Sequence, residues 1–102
     1  MIVIEKGHEM IQGLVGSRWV PEILFSIEKG CSRYSEIESD IQDISHTELQ
    51  RKLKMLVEKN VLLKTESSNQ TDYHLTMFGD DMVHIFHHFE DLSIKYSQPD
   101  LY

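Results

Sequence analysis

The sequence has few features that would cross-link, stiffen or embed a small protein. Its 102 residues include a single cysteine, Cys31, and two prolines. One cysteine excludes an internal disulfide and fits a reducing compartment. No apolar run approaches the ~18 residues that predict a membrane span. No basic segment precedes an apolar run at the start, so no secretion signal is expected. These absences predict a cytoplasmic protein without a membrane partner.

Signs of catalysis are also missing. The sequence contains no Gly-rich phosphate loop, no Ser/His/Asp arrangement and no paired-acid motif. Cys31 has no base close to it in sequence and is better explained as a small, partly buried residue. We therefore expect neither an enzyme nor a cofactor.

The length of the chain indicates one soluble domain, and its charged residues are unevenly distributed along the sequence. A chain of 102 residues forms a single domain, here residues 1–102. The net charge of −7 opposes indiscriminate binding to nucleic acid. Residues 45–64, however, carry five bases and two acids, a local charge of +3. A positive segment in a negative molecule would orient an approach to phosphate.

Apolar spacing predicts short helices before this segment. Residues 8–15 have a one-sided apolar stripe, and residues 17–28 have another, with Ser17 as a candidate cap and Pro21 in the first turn. The pattern Ser35-x-x-Glu38 predicts a capped third helix.

The basic segment itself reads as a capped, one-sided helix. Ser45-x-x-Glu48 is a second capping pattern, and leucines at 49, 53 and 56 with Val57 form the apolar stripe. Two short capped helices joined by a few residues predict a helix-turn-helix over about residues 35–60.

A hairpin and a long helix complete the predicted order. Residues 61–66 and 73–76 are expected to be strands around a polar turn, which gives a two-stranded wing over about residues 61–76. Thr76 is a candidate cap for a final helix over about residues 77–97. The predicted class is α+β and mainly helical: a winged helix-turn-helix with extra N- and C-terminal helices for dimerisation.

The ordered motifs resemble those of the HxlR-type (MarR-like) winged helix-turn-helix transcriptional regulators. The matching pieces are residues 16–19, 23–24, 30, 33–37, 44–45, 49, 51–53, 56, 60–62, 73–76 and 79. The resemblance implies a bacterial transcriptional regulator that binds a pseudo-palindromic promoter site as a homodimer. It also implies three partners: double-stranded DNA, a second copy of the chain and an effector of unknown identity.

Two departures from the family pattern affect what is expected. The family's wing often carries prolines and a basic residue, whereas residues 67–71 are uncharged here. Redox-sensing members often use a cysteine before the first helix, and this chain has none there. The resemblance therefore implies a weaker wing contact and no thiol switch.

The predicted DNA contacts lie mainly on the basic helix. Gln pairs with adenine and Arg with guanine in the major groove, while Lys suits phosphate. The candidate set is Arg33, Ser45, His46, Thr47, Gln50, Arg51, Lys52, Lys54, Ser68, Asn69 and Gln70. The alternative is an ordinary solvated helix face. Arg33 fits a phosphate contact, as the resemblance implies, or a salt bridge with Glu36 or another nearby acid.

The terminal helices supply the predicted dimer interface, since a small core needs only part of so long a final helix. The candidate residues are Ile11, Leu14, Met82, Ile85, Phe86, Phe89 and Leu92. Three histidines on the same helix, His84, His87 and His88, lack the partners of a zinc site and are better explained as a polar flank.

Two other functional classes stay open. A winged-helix protein-interaction module with weak DNA binding is favoured by the acidic total and the uncharged wing. A small-molecule or metal sensor would depend on the histidines alone. Internal carboxylates on the basic cluster would weaken the DNA hypothesis.

Overall fold

The computed structural model describes the backbone of residues 2–97 and the side chains of residues 7–97. Within this part of the chain, five helices and one hairpin follow in the order α1 (Ile2–Val15), α2 (Val20–Glu28), α3 (Tyr34–Asp40), α4 (His46–Glu58), β1 (Leu62–Ser67), β2 (Gln70–Leu75) and α5 (Met77–Tyr96). The predicted fold class is confirmed: a helix-turn-helix, α3 and α4, and a two-stranded wing are preceded by α1 and α2 and followed by α5.

The first two helices differ from their predicted bounds. Helix α1 begins at Ile2 rather than residue 8, and α2 begins at Val20 rather than residue 17. Ser17 does not cap α2, because the chain turns through Trp19 in the left-handed region, at φ 74°. Pro21 lies in the first turn of α2, as predicted, where no intrahelical N–H bond is lost.

Of the two helix caps predicted in the helix-turn-helix, one is confirmed and the other is wrong. At α4 the Ser45 hydroxyl accepts the Glu48 N–H at 3.0 Å, which confirms that cap. At α3 the predicted Ser35–Glu38 pair is wrong. Glu36 instead accepts the N–H groups of Ser32 and Arg33, both at 3.1 Å. The helix therefore begins at Tyr34, since Glu36 reaches back over its first turn.

The wing lies within its predicted bounds, but its paired strands are longer than predicted and its turn is shorter. Strands β1 and β2 pair antiparallel from Leu62 opposite Leu75 to Ser67 opposite Gln70. Residues 70–72 were expected in the turn, but polar residues pair readily in a ribbon whose edges meet water. The wing is also tied to the segment before α3, since Tyr73 N–H donates to Ser32 O at 2.7 Å.

One apolar core joins all the helices to the base of the wing. Its fully buried members include Leu24 of α2, Ile37 of α3, Leu53 of α4 and Val83 of α5. This core fixes α4, which carries most of the predicted DNA contacts, relative to α5, which carries most of the predicted dimer contacts.

The wing returns to the core at a tight junction between α4 and α5. The Thr76 hydroxyl donates to backbone carbonyls of Asn60 and Val61 and accepts the Gly79 N–H at 3.0 Å, capping α5 as predicted. A Cβ on Gly79 would lie 2.2 Å from the Val61 carbonyl oxygen. Only glycine allows this approach of α5 to the chain that leaves α4.

Among the helices within residues 2–97, none is apolar over a length that would cross a bilayer.

Candidate nucleic-acid interface

Helix α4 separates its side chains into two faces, as its sequence pattern predicts. Leu49, Leu53 and Leu56 are buried in the core. The opposite face is open to solvent and carries His46, Thr47, Gln50, Arg51 and Lys54. The Ser45 cap and the leucine contacts fix the orientation of this polar face, so its side chains are presented from a rigid element.

The basic side chains of α4 differ in how much the fold already uses them. Arg51 forms an ion pair with Glu48, one turn earlier on the same helix. Lys52 lies on the flank of the helix, where its ammonium donates to the Ser17 hydroxyl at 2.8 Å. Among the described side chains, no carboxylate lies within ion-pair distance of Lys54 or Arg33. Internal acids therefore occupy only one of the four bases that define the predicted basic cluster.

A polar cluster surrounds the start of α4 at His46. Its Nδ1 lies 2.7 Å from the Tyr34 hydroxyl and 3.3 Å from Glu38 Oε2, and the Tyr34 hydroxyl lies 3.1 Å from His46 O. These contacts are all satisfied when Nδ1–H donates to the phenol oxygen and to Glu38, while the phenol donates to the carbonyl. His46 Nε2 is then the ring atom left to face a ligand.

The Tyr34 phenol stays a proton donor in this cluster. Partial burial, and then the negative charge of Glu38, raise the pKa of Tyr34 above its ordinary value. The phenol therefore remains neutral across the physiological range. It joins α3 to the first residue of α4 and helps to fix the angle between the two helices.

The predicted wing residues form an uncharged tip. Ser68 and Asn69 make the two-residue turn, with Ser68 at φ 51°, and both are exposed. The Gln70 amide is directed back into the wing, where it donates to the Asp72 carboxylate at 2.9 and 3.2 Å. Ser32 also donates to Asp72, at 3.3 Å, so the base of the wing is held against the start of α3.

A cleft of about 470 Å³ separates α4 from the wing. Its α4 side is formed by Gln50, Lys54, Val57 and Glu58, and its other walls by Tyr34, Lys64 and Tyr73. Tyr34 and Lys64 were not among the predicted site residues. The alternation of β1 contained the signal for Lys64, since every second strand residue shares a face and Leu62 is buried towards the core.

Arg33 lies at the edge of a second cleft, beside the turn of the wing. It lines that space together with Ser35, Asn69 and Gln70. The alternative considered for Arg33, a salt bridge with Glu36, does not form, because Glu36 is engaged with backbone N–H groups. Arg33 thus lies with α4 and the wing tip along one side of the molecule.

The predicted dimer residues divide into two groups. Leu14, Met82 and Phe86 already lie in the core, and Ile11 and Ile85 are partly buried. Phe89 and Leu92 are 45% and 39% exposed, and Tyr96, one turn further along the same line, is also exposed. The apolar stripe of α5 therefore extends beyond what the described chain covers.

The histidines of α5 act separately. His87 stacks on Phe25 of α2 and bonds Glu28 at 2.8 Å and Glu90 at 3.0 Å. The carboxylate of Glu28, and next that of Glu90, accept hydrogen bonds from the ring N–H groups of His87 and thereby raise its pKa. Within residues 7–97, no group of three or more His, Cys, Asp or Glu side chains is arranged to hold a metal.

Comparison with known proteins identifies one matching sequence family and two similar folds. Residues 14–101 match the profile of the HxlR-like helix-turn-helix family. Among curated sequences, none matches significantly. The fold is similar to that of diamide-treated YodB from B. subtilis, with a TM-score of 0.71, 24% identity, and coverage of 85% of this chain and 89% of that one. It is also similar to a protein assigned to the MarR family of transcriptional regulators from Porphyromonas gingivalis W83, with a TM-score of 0.75, 23% identity, and coverage of 91% and 90%.

Proposed function

The chain belongs to the HxlR-like helix-turn-helix family of transcriptional regulators, a non-enzymatic family, and on that premise we propose that it binds a promoter site as a homodimer. The site would be pseudo-palindromic, and binding there would block or aid polymerase. A DNA-binding regulator of this kind would work in the cytoplasm.

The observation that carries the proposal is the polar face of α4. Gln50, Arg51 and Lys54 are exposed on a helix whose leucines are fixed in the core. Gln and Arg side chains read bases in the major groove, and Lys contacts phosphate. The acidic remainder of the molecule would limit the contact to this side.

The residues around α4 suit the DNA backbone on either side of the groove. Arg33 lies beside the wing tip, and Lys64 faces Lys54 across the cleft between α4 and the wing. Lys64 is only loosely paired, with its Nζ 3.5 Å from Glu66. A DNA strand following the cleft would place phosphates near both lysines.

The dimer is proposed from the uncovered end of α5. Phe89 and Leu92 lie on a helix that extends past the core, and burial of their remaining exposed surface would stabilise an interface by about 1 kcal/mol each. A two-fold dimer would present two α4 helices to half-sites ~34 Å apart. An effector would act by changing their separation or tilt.

The test is a gel-shift titration with the DNA upstream of the protein's own gene at several salt concentrations. Phosphate-led binding is expected to weaken steeply as salt rises, by about one power of the salt concentration for each phosphate contact. An affinity that is independent of salt, or equal for unrelated DNA, would contradict the proposal.

A second candidate is a winged-helix module that binds another protein and holds DNA weakly. It is favoured by the wing, whose Gln70 is turned towards Asp72 and whose tip carries no cation. The same titration separates the two, because a protein-interaction module would show no preference for the upstream DNA at any salt concentration.

A further inference from the structure

A groove on the side of the molecule formed by α2 and α5 has no part in the proposed DNA contact. Its volume is about 390 Å³, which lies within the range of small-molecule sites. Glu22 and Phe25 of α2 form one side, and Phe86, Phe89 and Glu90 of α5 form the other.

The aromatic rings of the groove form a continuous series. Phe25 and Phe86 meet edge to face with centroids 6.4 Å apart, and Phe86 and Phe89 meet in the same way at 6.3 Å. Ring faces carry negative charge density and attract organic cations within about 6 Å of the centroid. The groove is therefore apolar and also favourable to positive charge.

The charged side chains of the groove are both carboxylates. Glu22 and Glu90 lie on opposite walls, and neither Lys nor Arg contributes to the lining. Glu22 has no cation within ion-pair distance among the described side chains, and Glu90 pairs only with His87 there. An organic anion would be repelled, whereas a monocation with an apolar body would meet charge and rings together.

The protein's own His87 already shows this chemistry on the neighbouring side of Phe25. Its ring stacks on Phe25 at 4.5 Å and an angle of 17°, and its two nitrogens lie at the carboxylates of Glu28 and Glu90. An aromatic face combined with carboxylates thus holds an imidazole here, through Phe25 and Glu90, which also line the groove.

The groove adjoins the proposed dimer stripe and shares Phe89 with it. Ile85, Phe89, Leu92 and Tyr96 recur every three or four residues and form one line along α5. Phe86, Glu90 and Ser93 form the adjacent line, which also faces the groove. A second copy on the first line would therefore border the groove at Phe89, beside Phe86, Glu90 and Ser93.

We propose that this groove binds a lipophilic organic cation, such as an aryl-substituted quaternary ammonium ion, with its charge between Glu22 and Glu90 and its ring against the phenylalanines. As an effector site it rests on the proposed function. The ligand would contact α2, which packs on α3 and β2, and also α5, which carries the dimer stripe. Both ends of the regulator would respond to occupancy.

Calorimetric titration of the full-length protein, without DNA, tests the site. The probe is benzyltrimethylammonium, with benzyl alcohol as the neutral analogue and phenylacetate as the anionic one. We expect saturable binding of the cation alone, weakened about tenfold or more in each of Glu22→Gln and Glu90→Gln. Glu66→Gln, on the wing, is the matched control and should bind like the wild type.

Three outcomes would overturn the proposal. Equal binding of the three probes would show an apolar cleft without charge selection. Unchanged binding in both glutamine variants would place the cation elsewhere. Binding only in a monomeric Leu92→Glu variant would show that a second copy occupies the groove.

A separate readout distinguishes this site from the regulatory proposal. The cation is expected to change the affinity for upstream DNA in the wild type but not in Glu22→Gln. Cation binding without any DNA binding would leave the groove assignment intact and refute the proposed function instead.

Discussion

Helices α4 and α5 differ in how completely the fold satisfies them. α4 buries its three leucines and leaves a polar face outside. α5 buries Met82, Val83 and Phe86 near its start, but its apolar stripe continues to exposed Phe89 and Leu92. α4 is complete as a folding element, and its exposed polar groups carry the proposed DNA contact. α5 leaves apolar side chains exposed, and these carry the proposed dimer.

The largest expected effect concerns the junction that joins these two helices. Gly79→Ala is expected to lower the free energy of unfolding by about 2–3 kcal/mol, because the new Cβ would meet the Val61 carbonyl at 2.2 Å. Chemical denaturation measures the change.

The control for the junction is Gly13→Ala in α1, where nothing lies within 4 Å of the added carbon. That substitution should be neutral or stabilise by up to about 1 kcal/mol, as Gly→Ala does in an open helix. Similar effects at the two positions would refute the close approach of α5.

The next effect tests the incomplete helix. Leu92→Glu is expected to weaken dimerisation roughly 30-fold or more, the equivalent of about 2 kcal/mol, because it places a charge in an apolar interface. Sedimentation over a concentration series measures the dissociation constant.

Ile94→Glu is the matched control on the same helix. Ile94 is 62% exposed and lies two residues from Leu92, hence on the other side of α5. It should leave the dimer intact. A dimer that survives Leu92→Glu but dissociates with Ile94→Glu would place the interface on the wrong face.

The complete helix is tested through its cations. The double substitution Arg51→Ala and Lys54→Ala is expected to weaken binding to upstream DNA about tenfold or more. It should also reduce the slope of log affinity against log salt concentration by about one for each phosphate contact that is lost. Gel shifts at several salt concentrations measure both quantities.

Lys59→Ala serves as the control for charge alone. Lys59 caps the end of α4 and is not part of the proposed contact set. An equal loss with Lys59→Ala would mean that net charge, rather than the polar face of α4, determines the affinity.

The smallest effect concerns the link between α2 and α5 at His87. Its pKa is raised first by Glu28 and then by Glu90, so its protonated form favours the folded state. That contribution is fully present below about pH 6.5 and disappears as the pH rises through the folded-state pKa. The melting temperature of the wild type should exceed that of His87→Gln at pH 5.5 but not at pH 9.

His84→Gln is the matched control for this titration. His84 is 70% exposed and lies 3.9 Å from Asp80. It should lower the melting temperature less than His87→Gln does at pH 5.5. Identical pH dependence in the two variants would show that His87 does not link the helices.

The sequence pattern predicted the elements that simple periodicity controls. The leucine spacing of α4, the Ser45 cap and the Thr76 cap are local signals, and each is confirmed. The cap of α3 was assigned to the wrong residues. The predicted pair is Ser35 and Glu38, whereas the observed pair is Arg33 and Glu36, which is the same spacing displaced by two residues. Residue spacing alone does not decide between two capping pairs that are displaced by two residues.

The contacts of the site depend on tertiary packing and were mostly not predictable. The Tyr34–His46 contact links α3 to α4, which a loop separates in the sequence. Lys52 donates to Ser17, which lies 35 residues earlier in the chain. Neither leaves a local pattern. Lys64 is an intermediate case, since strand alternation pointed to its face but not to its distance from α4.

Hydroxyl-radical footprinting of the upstream DNA tests the central claim most directly, because it reports where each α4 helix of the dimer lies. Two protected stretches of equal size, centred about one helical turn or ~34 Å apart, are expected, and both should disappear together in the Arg51/Lys54 double variant. A single protected stretch, or two that survive the double substitution, would contradict a homodimer that reads DNA through α4.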